Sequence, residues 1–183
     1  MAVQHGYFLQ QDLSQFDAPF FSTTAKEAAA MDPMKRLLLE VSYESIENGE
    51  QLSSHRPILP VTGLLTRRPT AGIPMENLIN SQTGCYVGCM TNDYEMSSTH
   101  DIQDLGYSAA TGTSEAMTAN RVSWFFGLRG PSLTLDTACS SSLYALHLAC
   151  QSLKLKEADQ VCPPFGKHPR PGLSLTSLRN FLT

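Results

Sequence analysis

The stretch Leu135-Asp-Thr-Ala-Cys-Ser-Ser-Ser-Leu143 decides the fold. The residues that lead into it, Pro131 to Asp136, predict a β-strand. The residues that follow, up to Lys154, predict a buried helix, because apolar side chains recur at three- and four-residue intervals. The small residues between the two predict a sharp turn. A strand, a tight turn and a helix in this order indicate a layered α/β fold.

Cys139 lies at this turn and is a candidate nucleophile. A cysteine just before a helix faces the positive end of the helix dipole, which favours the thiolate form. The thiolate is the form that attacks acyl groups. Spacing alone leaves a second interpretation open, in which Cys139 is a small side chain of the core.

Three further elements are predicted around this turn. Asp32-Pro33 is typical of a helix start, with aspartate as the cap and proline in the first turn, and the helix should run to about Asn48. Residues 84–90 predict a buried strand, and residues 114–126 a helix that ends at Gly127. The predicted buried face of the first helix consists of Leu37, Leu38, Val41, Ser45 and Ile46. That of the helix after Cys139 consists of Leu143, Leu146, Ala149, Cys150 and Leu153.

The composition excludes several classes of protein. The chain has 183 residues, enough for one domain, and 42 % of them are apolar, enough for a packed core. A net charge of −4 disfavours nucleic acid and anionic membranes as partners. No apolar run approaches the ~20 residues of a membrane span, and the first twenty residues do not form a signal peptide. Five cysteines without a Cys-x-x-Cys pair predict reduced thiols in a cytoplasmic protein without a metal site.

Charge and proline divide the chain into four segments. Residues 1–48 and 72–153 are acidic, with net charges of −4 and −5, whereas 49–71 and 154–183 are basic, with +2 and +3. The two basic segments hold seven of the eleven prolines. Because proline at that density breaks helices and strands, two patterned blocks are separated and followed by segments of another kind. A surface loop and a disordered tail are the simplest interpretation of those segments.

Several motifs carry a resemblance to a known family. Asp136-Thr-Ala-Cys-Ser-Ser-Ser142 resembles the active-site signature of the β-ketoacyl synthases. Phe16-Asp-Ala-Pro-Phe-Phe21 and Met31-Asp-Pro-Met-Lys-Arg-Leu-Leu-Leu-Glu40 resemble two upstream blocks of the same family. Shorter matches are Gly84-Cys-Tyr-Val-Gly88, Asn120-Arg121, Ser123-Trp-Phe-Phe126 and Gly130-Pro-Ser132. The sequence of these motifs is most similar to that of ketosynthase domains of fungal highly reducing polyketide synthases, and the resemblance covers residues 7–48 and 72–156.

The resemblance implies a thiolase-like α/β fold of two similar halves, of which this chain would hold the N-terminal one, and a possible homodimer. It implies that Cys139 accepts an acyl chain from the phosphopantetheine arm of an acyl carrier protein, with its own backbone N–H in the oxyanion hole. The acyl-enzyme would then condense with malonyl carrier protein and release carbon dioxide. No cofactor would be bound by the chain itself.

The chain also departs from the family. The family's second half supplies two catalytic histidines and a lysine, and none of this chain's histidines lies in the corresponding motifs. His147 follows Cys139 by two helical turns and is interpreted as a packed or partly exposed helix residue. Condensation by this chain alone is therefore not expected. The alternative is an inert product of a decayed gene or of an erroneous gene model, which would act, if at all, by pairing with an intact ketosynthase.

Residues 49–71 interrupt a stretch that reads Glu-Asn-Ala-Gly-Ile-Pro in the family. Gly49-Glu50 can be encoded by GGT-GAG, which contains a splice donor, and Thr70-Ala71 by ACA-GCA, which contains a splice acceptor. Splicing would join the G that precedes the donor to the CA that follows the acceptor. The result is GCA, the codon for the alanine that the family has at this point. The hypothesis is that 49–71 is a translated intron and that the chain after about Val161 arises from a second intron or a frame shift. The Pro-rich basic tail, residues 157–183, is interpreted as having no counterpart in the family. A genuine surface loop remains the alternative.

Overall fold

The computed structural model describes residues 12–47, 73–98, 106 and 108–162. Asn48, the segment 49–71, the chain from residue 163 onward and the histidines at 5, 55, 100 and 168 lie outside the described residues. No helix in the described ranges is long and apolar enough to cross a membrane.

The described residues contain one parallel sheet of three strands. Strand β1 (Thr83–Gly88) lies in the middle, with β2 (Ser132–Leu135) on one side and β3 (Gln160–Cys162) on the other. Val87 of β1 is paired with Thr134 of β2, and Cys85 with Cys162 of β3. A central strand that is covered on both faces is expected to be apolar along its whole length, because neither of its faces meets water. The predicted strands at 84–90 and 131–136 are confirmed. Strand β1 begins one residue earlier and ends two residues earlier than predicted, and β2 is one residue shorter at each end.

Seven helices accompany the sheet in the described ranges: α1 (Ala25–Ala30), α2 (Pro33–Glu47), α3 (Met75–Leu78), α4 (Asp93–Ser98), α5 (Ala109–Thr113), α6 (Met117–Phe126) and α7 (Ser141–Leu155). Helix α2 begins as predicted, because the Asp32 carboxylate accepts the Met34 N–H at 2.7 Å. Helix α6 ends as predicted at Gly127, whose φ of +65° is the left-handed conformation that glycine adopts without strain. It begins three residues later than predicted, since Ser114 and Glu115 form the turn that precedes it.

The buried face of α2 is not the predicted one. Of the five predicted side chains only Ile46 is fully buried, and the helix instead buries Lys35, Leu39, Ser42 and Ile46. The shift arises because Lys35 is inside, where its Nζ donates to the carbonyl oxygen of Ser114 at 2.6 Å. An apolar pattern does not count a lysine as a core residue, so it selects the neighbouring stripe.

The predicted face of α7 is confirmed only at Ala149, which is buried. Leu143 is 69 % exposed, and the helix turns Ser141, Ala145, Ala149 and Ser152 toward the sheet. Small side chains let α7 lie close to the buried Tyr86 of β1, while Tyr144 and Leu155 join Leu143 on the outer side. Apolar periodicity identified this helix and misidentified the side that it buries.

The core lies on both faces of the sheet. On one face, Cys85 and Val87 pack in a cluster with Met31, Leu39, Val122 and Phe126. On the other face, Tyr86 packs with Ala145, Ala149 and Val161. The alternation follows from the two-residue period of a strand. It places α7 on the second face, so that its first turn begins beside the carboxyl ends of β1 and β2.

Candidate active site

The turn that joins β2 to α7 carries an exposed thiol. Residues 136–140 are all exposed, and Cys139 lies directly before Ser140, the N-cap of α7. The interpretation of Cys139 as a small core residue is therefore wrong. The sequence placed a cysteine between a strand and a helix, and the structure places its side chain at the surface at that point.

The residue before the thiol has an unusual backbone. Ala138 has a φ of +55°, in the left-handed region that side chains other than glycine seldom adopt. The backbone groups of Ala138 itself make two hydrogen bonds. Its N–H donates to the Asp136 carboxylate at 2.7 Å, and its carbonyl oxygen accepts from the backbone N–H of Ser141 at 3.0 Å. Strain of this kind persists only where surrounding contacts over-determine it, and it clusters at functional sites.

Serine hydroxyls complete the turn. The Ser141 Oγ accepts the Thr137 N–H at 2.7 Å and donates to the Ala138 carbonyl oxygen at 2.7 Å. The Ser140 Oγ donates to the Thr137 carbonyl oxygen, also at 2.7 Å. The hydroxyls of Ser140 and Ser141 thus form hydrogen bonds with the backbone just before Cys139, as serine side chains commonly do in turns.

Gly88 allows α7 to start where it does. A Cβ on Gly88 would lie 2.5 Å from the carbonyl carbon of Ser141 and 2.5 Å from the nitrogen of Ser142. Any side chain at position 88 would collide with the first turn of α7. The sequence contained the signal, a glycine at the end of a buried strand, but its partner could not be inferred without the structure.

The other cysteines are placed differently. All five lie among the described residues, and only Cys139 is exposed. Burial, and next the neighbouring Glu115, raise the pKa of the Cys89 thiol to about 12. A hydrogen bond with Cys85, together with burial, raises the pKa of Cys162. These three are buried thiols of the sheet region, and Cys150 lies half-buried on α7.

His147 is the one histidine among the described residues, and it does not complete a cysteine–histidine pair. It is exposed on α7, eight residues beyond Cys139, which corresponds to about 12 Å along a helix. Its ring lies 6.0 Å from that of Tyr144. The prediction that it is a helix residue is confirmed. Within the described ranges, His, Cys, Asp and Glu side chains also form no group of three that could hold a metal ion.

Comparison with known proteins gives the class. The family model for the beta-ketoacyl synthase N-terminal domain matches residues 1–58 and 69–162. The chain therefore belongs to the β-ketoacyl synthase family, as the motifs around Cys139 predicted. The described residues form part of a thiolase-like ketosynthase domain.

Relatives narrow the class to polyketide synthases. The chain is 55 % identical over 156 residues to the highly reducing polyketide synthase cnsI of Penicillium expansum, and 56 % identical over 156 residues to alnA of Emericella nidulans. Each match covers 85 % of this chain and 6 % of the relative, so the chain spans a small part of the length of these curated proteins.

Solved structures agree with that assignment. The oxazolomycin ketosynthase domain OzmH KS7 of Streptomyces albus is 33 % identical, with a TM-score of 0.60, over 80 % of this chain and 22 % of its own. The ketosynthase from module 6 of the bacillaene synthase of Bacillus subtilis is 30 % identical, with a TM-score of 0.55, over 80 % of this chain and 20 % of its own.

Proposed function

We propose that Cys139 is the acyl-accepting nucleophile of a polyketide-synthase ketosynthase. The observation that carries the proposal is the exposed thiol of Cys139 on a strained turn, directly before the N-terminus of a fifteen-residue helix. The turn presents the Cys139 sulfur at the surface, where an acyl thioester can reach it. Membership of the family supplies the kind of reaction.

The first step is a transthioesterification. The Cys139 thiolate attacks the carbonyl carbon of an acyl thioester on the phosphopantetheine arm of a carrier protein. A new sulfur–carbon bond forms, the pantetheine sulfur–carbon bond breaks, and the pantetheine thiolate leaves and takes up a proton. The oxyanion of the tetrahedral intermediate needs hydrogen-bond donors, and the backbone N–H of Cys139 is proposed as one of them. The arm is a substrate carrier here.

The second step is condensation with malonyl carrier protein. Loss of carbon dioxide from the malonyl group leaves an enolate, which attacks the acyl carbon, so that a carbon–carbon bond forms and the Cys139 sulfur–carbon bond breaks. This step needs acid–base groups around the enolate and the oxyanion. Among the described residues His147 is too far along α7 to serve. We therefore propose that residues 12–162 support acyl transfer and that condensation needs further polypeptide.

The outer side of α7 favours a second candidate, an inert chain that acts only when paired with an intact ketosynthase. Leu143 is 69 % exposed and Leu155 is 70 % exposed, on the helix that starts at the proposed nucleophile. Leu133 of the neighbouring strand is also exposed. An exposed apolar surface of this kind is typical of a protein–protein contact.

The test is to incubate the full chain with the hexanoyl thioester of pantetheine and to locate the acyl group by peptide mass spectrometry. We expect it on Cys139, and we expect Cys139→Ala to abolish it. Cys150→Ala is the matched control, since Cys150 is a half-buried thiol on the same helix, and it should be acylated like the parent. Absence of the acyl group from Cys139, or equal labelling of another cysteine, would overturn the proposal.

A second arm separates the two candidates. Malonyl carrier protein is added to the acylated chain, with and without an intact ketosynthase, and the 3-oxoacyl product is measured. We expect the acyl-enzyme to persist when the chain is alone. Condensation by the chain alone would contradict the requirement for further polypeptide. Acylation that appears only in the presence of the intact ketosynthase would favour the pairing candidate.

A further inference from the structure

Ser141 stands out among the residues of the turn because its side chain is buried, with 4 % exposure, while residues 136–140 are exposed. Its hydroxyl has a partner on each side of Ala138. It accepts the N–H of Thr137 and donates to the carbonyl oxygen of Ala138, both at 2.7 Å, and it lies 3.4 Å from the Asp136 carboxylate. One hydroxyl therefore bridges the residue whose φ is positive.

The left-handed conformation of Ala138 needs such support. Alanine seldom adopts this region, and the turn keeps it there although no glycine is present. Ser140 does not make this bridge. Its hydroxyl bonds Thr137 alone, through the carbonyl oxygen at 2.7 Å and Oγ1 at 3.0 Å.

We infer that Ser141 is a positioning residue: its hydroxyl holds Ala138 in the left-handed conformation and so presents the Cys139 thiol in front of α7. The catalytic meaning of this inference rests on the proposed function. The structural part of the inference, that Ser141 holds the turn, is independent of the proposed function. It can be tested by the reaction of the exposed Cys139 thiol with a simple alkylating agent.

The test compares the full chain with Ser141→Ala, Ser141→Thr and the matched control Ser140→Ala. Two rates are measured, alkylation of Cys139 by iodoacetamide as a function of pH and acyl transfer from hexanoyl-pantetheine. We expect Ser141→Ala to lower acyl transfer roughly tenfold or more, since small misplacements of a reacting group have large effects. Its alkylation profile should also differ from that of the parent, because the thiol leaves its position in front of α7. Ser141→Thr keeps the hydroxyl and should retain most of both rates.

A double variant keeps the inference testable if Ser141→Ala does not fold. Glycine adopts positive φ freely, so Ala138→Gly in the Ser141→Ala background should recover the fold and part of the lost rates. No recovery in the double variant, or identical profiles for Ser141→Ala and Ser140→Ala, would overturn the inference. If the parent chain is alkylated at Cys139 but never acylated, the proposed function fails and the role of Ser141 is still decided by the alkylation profiles.

A second inference comes from the other side of the molecule. The backbone N–H of Ile73 donates to the carbonyl oxygen of Ile46 at 3.1 Å. This hydrogen bond joins the end of α2 to the first described residue after positions 48–72. Both side chains also line the same small apolar pocket, with Leu78 and Leu128. The family model leaves residues 59–68 unmatched, and these fall inside the interval, while its match extends over 49–58 and 69–71.

This pair of contacts has the form of a helix cap. In a Schellman motif the N–H of one residue bonds the carbonyl oxygen five positions earlier, a glycine stands just before that residue, and the two side chains at the ends make an apolar contact. Ile46 and Ile73 acquire this spacing if Asn48 is followed by one alanine and then by Gly72. We propose that residues 49–71 are an insertion whose removal, with that alanine restored, leaves a complete cap on α2.

The test is a chain in which one alanine replaces residues 49–71. We expect it to fold and to unfold at a higher temperature than the parent, because a local cap closes a much shorter loop. The matched control joins Asn48 directly to Gly72 and is one residue too short for the bond. A replacement chain no more stable than the parent, or no more stable than this control, would overturn the proposal. Sequencing of the spliced transcript then shows whether the codons for 49–71 are removed.

Discussion

Gly88 at the end of β1 is in backbone contact with Ser141 in the first turn of α7: a Cβ on Gly88 would lie 2.5 Å from the Ser141 carbonyl carbon. Backbone atoms cannot move aside as a flexible side chain can. The position of the proposed nucleophile thus depends on a residue of another strand, more than fifty positions earlier in the chain.

Gly88→Ala should therefore displace the start of α7. We expect a loss of about 1–3 kcal/mol in the free energy of unfolding, the usual effect of overpacking, and slower acylation of Cys139. Gly106→Ala is the control, because a Cβ there meets nothing within 4 Å. Urea denaturation of the two variants measures the difference, and equal midpoints would contradict the contact.

The thiols should differ in reactivity. Cys139 is exposed, whereas burial and Glu115 raise the pKa of Cys89 to about 12, so very little Cys89 thiolate exists near neutral pH. We expect iodoacetamide to label Cys139 at least roughly tenfold faster than Cys89 in the folded chain, and the two at similar rates in urea. Peptide mass spectrometry follows both sites at once. Equal labelling in the folded chain would show that Cys89 is accessible.

Lys35 should make stability depend on pH. Burial lowers its pKa from 10.5 to about 8, against the opposing effect of Asp32. Between these values the unfolded chain binds the proton that the folded chain has released. The contribution of Lys35 to the free energy of unfolding therefore rises with pH through this window, by roughly 2 kcal/mol between about pH 7.5 and 9.5.

The measurement is the difference between the parent chain and Lys35→Met at the two pH values. We expect the parent to gain stability relative to the variant as the pH rises. Lys154→Met serves as control, since Lys154 is exposed on α7 and its removal should leave the difference flat. A difference between the parent and Lys35→Met that stays flat or falls over the same window would show that Lys35 stays charged inside the fold.

The sequence predicted the local elements better than their packing. Asp32 caps α2 with its side chain and Gly127 ends α6 with its backbone conformation, both within a few residues of the helix, so the start of α2 and the end of α6 could be located from residue type. Which face of a helix is buried depends on the elements that pack against it. A lysine is buried in α2 because the Ser114 carbonyl is there to receive it. At the site, Cys139 was found from its motif, but the contacts of Gly88 and Ser141 join residues that no local pattern relates.

The orientation of α7 gives the last prediction. Because Leu143 is 69 % exposed and Ala149 is buried against the sheet, Leu143→Gln should change the free energy of unfolding by less than about 0.5 kcal/mol. Ala149→Leu should destabilise the chain by about 1–3 kcal/mol or more, since it forces a large side chain between α7 and the buried Tyr86. Apolar periodicity alone predicts that Leu143 and Ala149 are both buried, so it is the thermal unfolding of Leu143→Gln that distinguishes the two orientations. A larger loss for Leu143→Gln would mean that the leucine side of α7 faces the sheet.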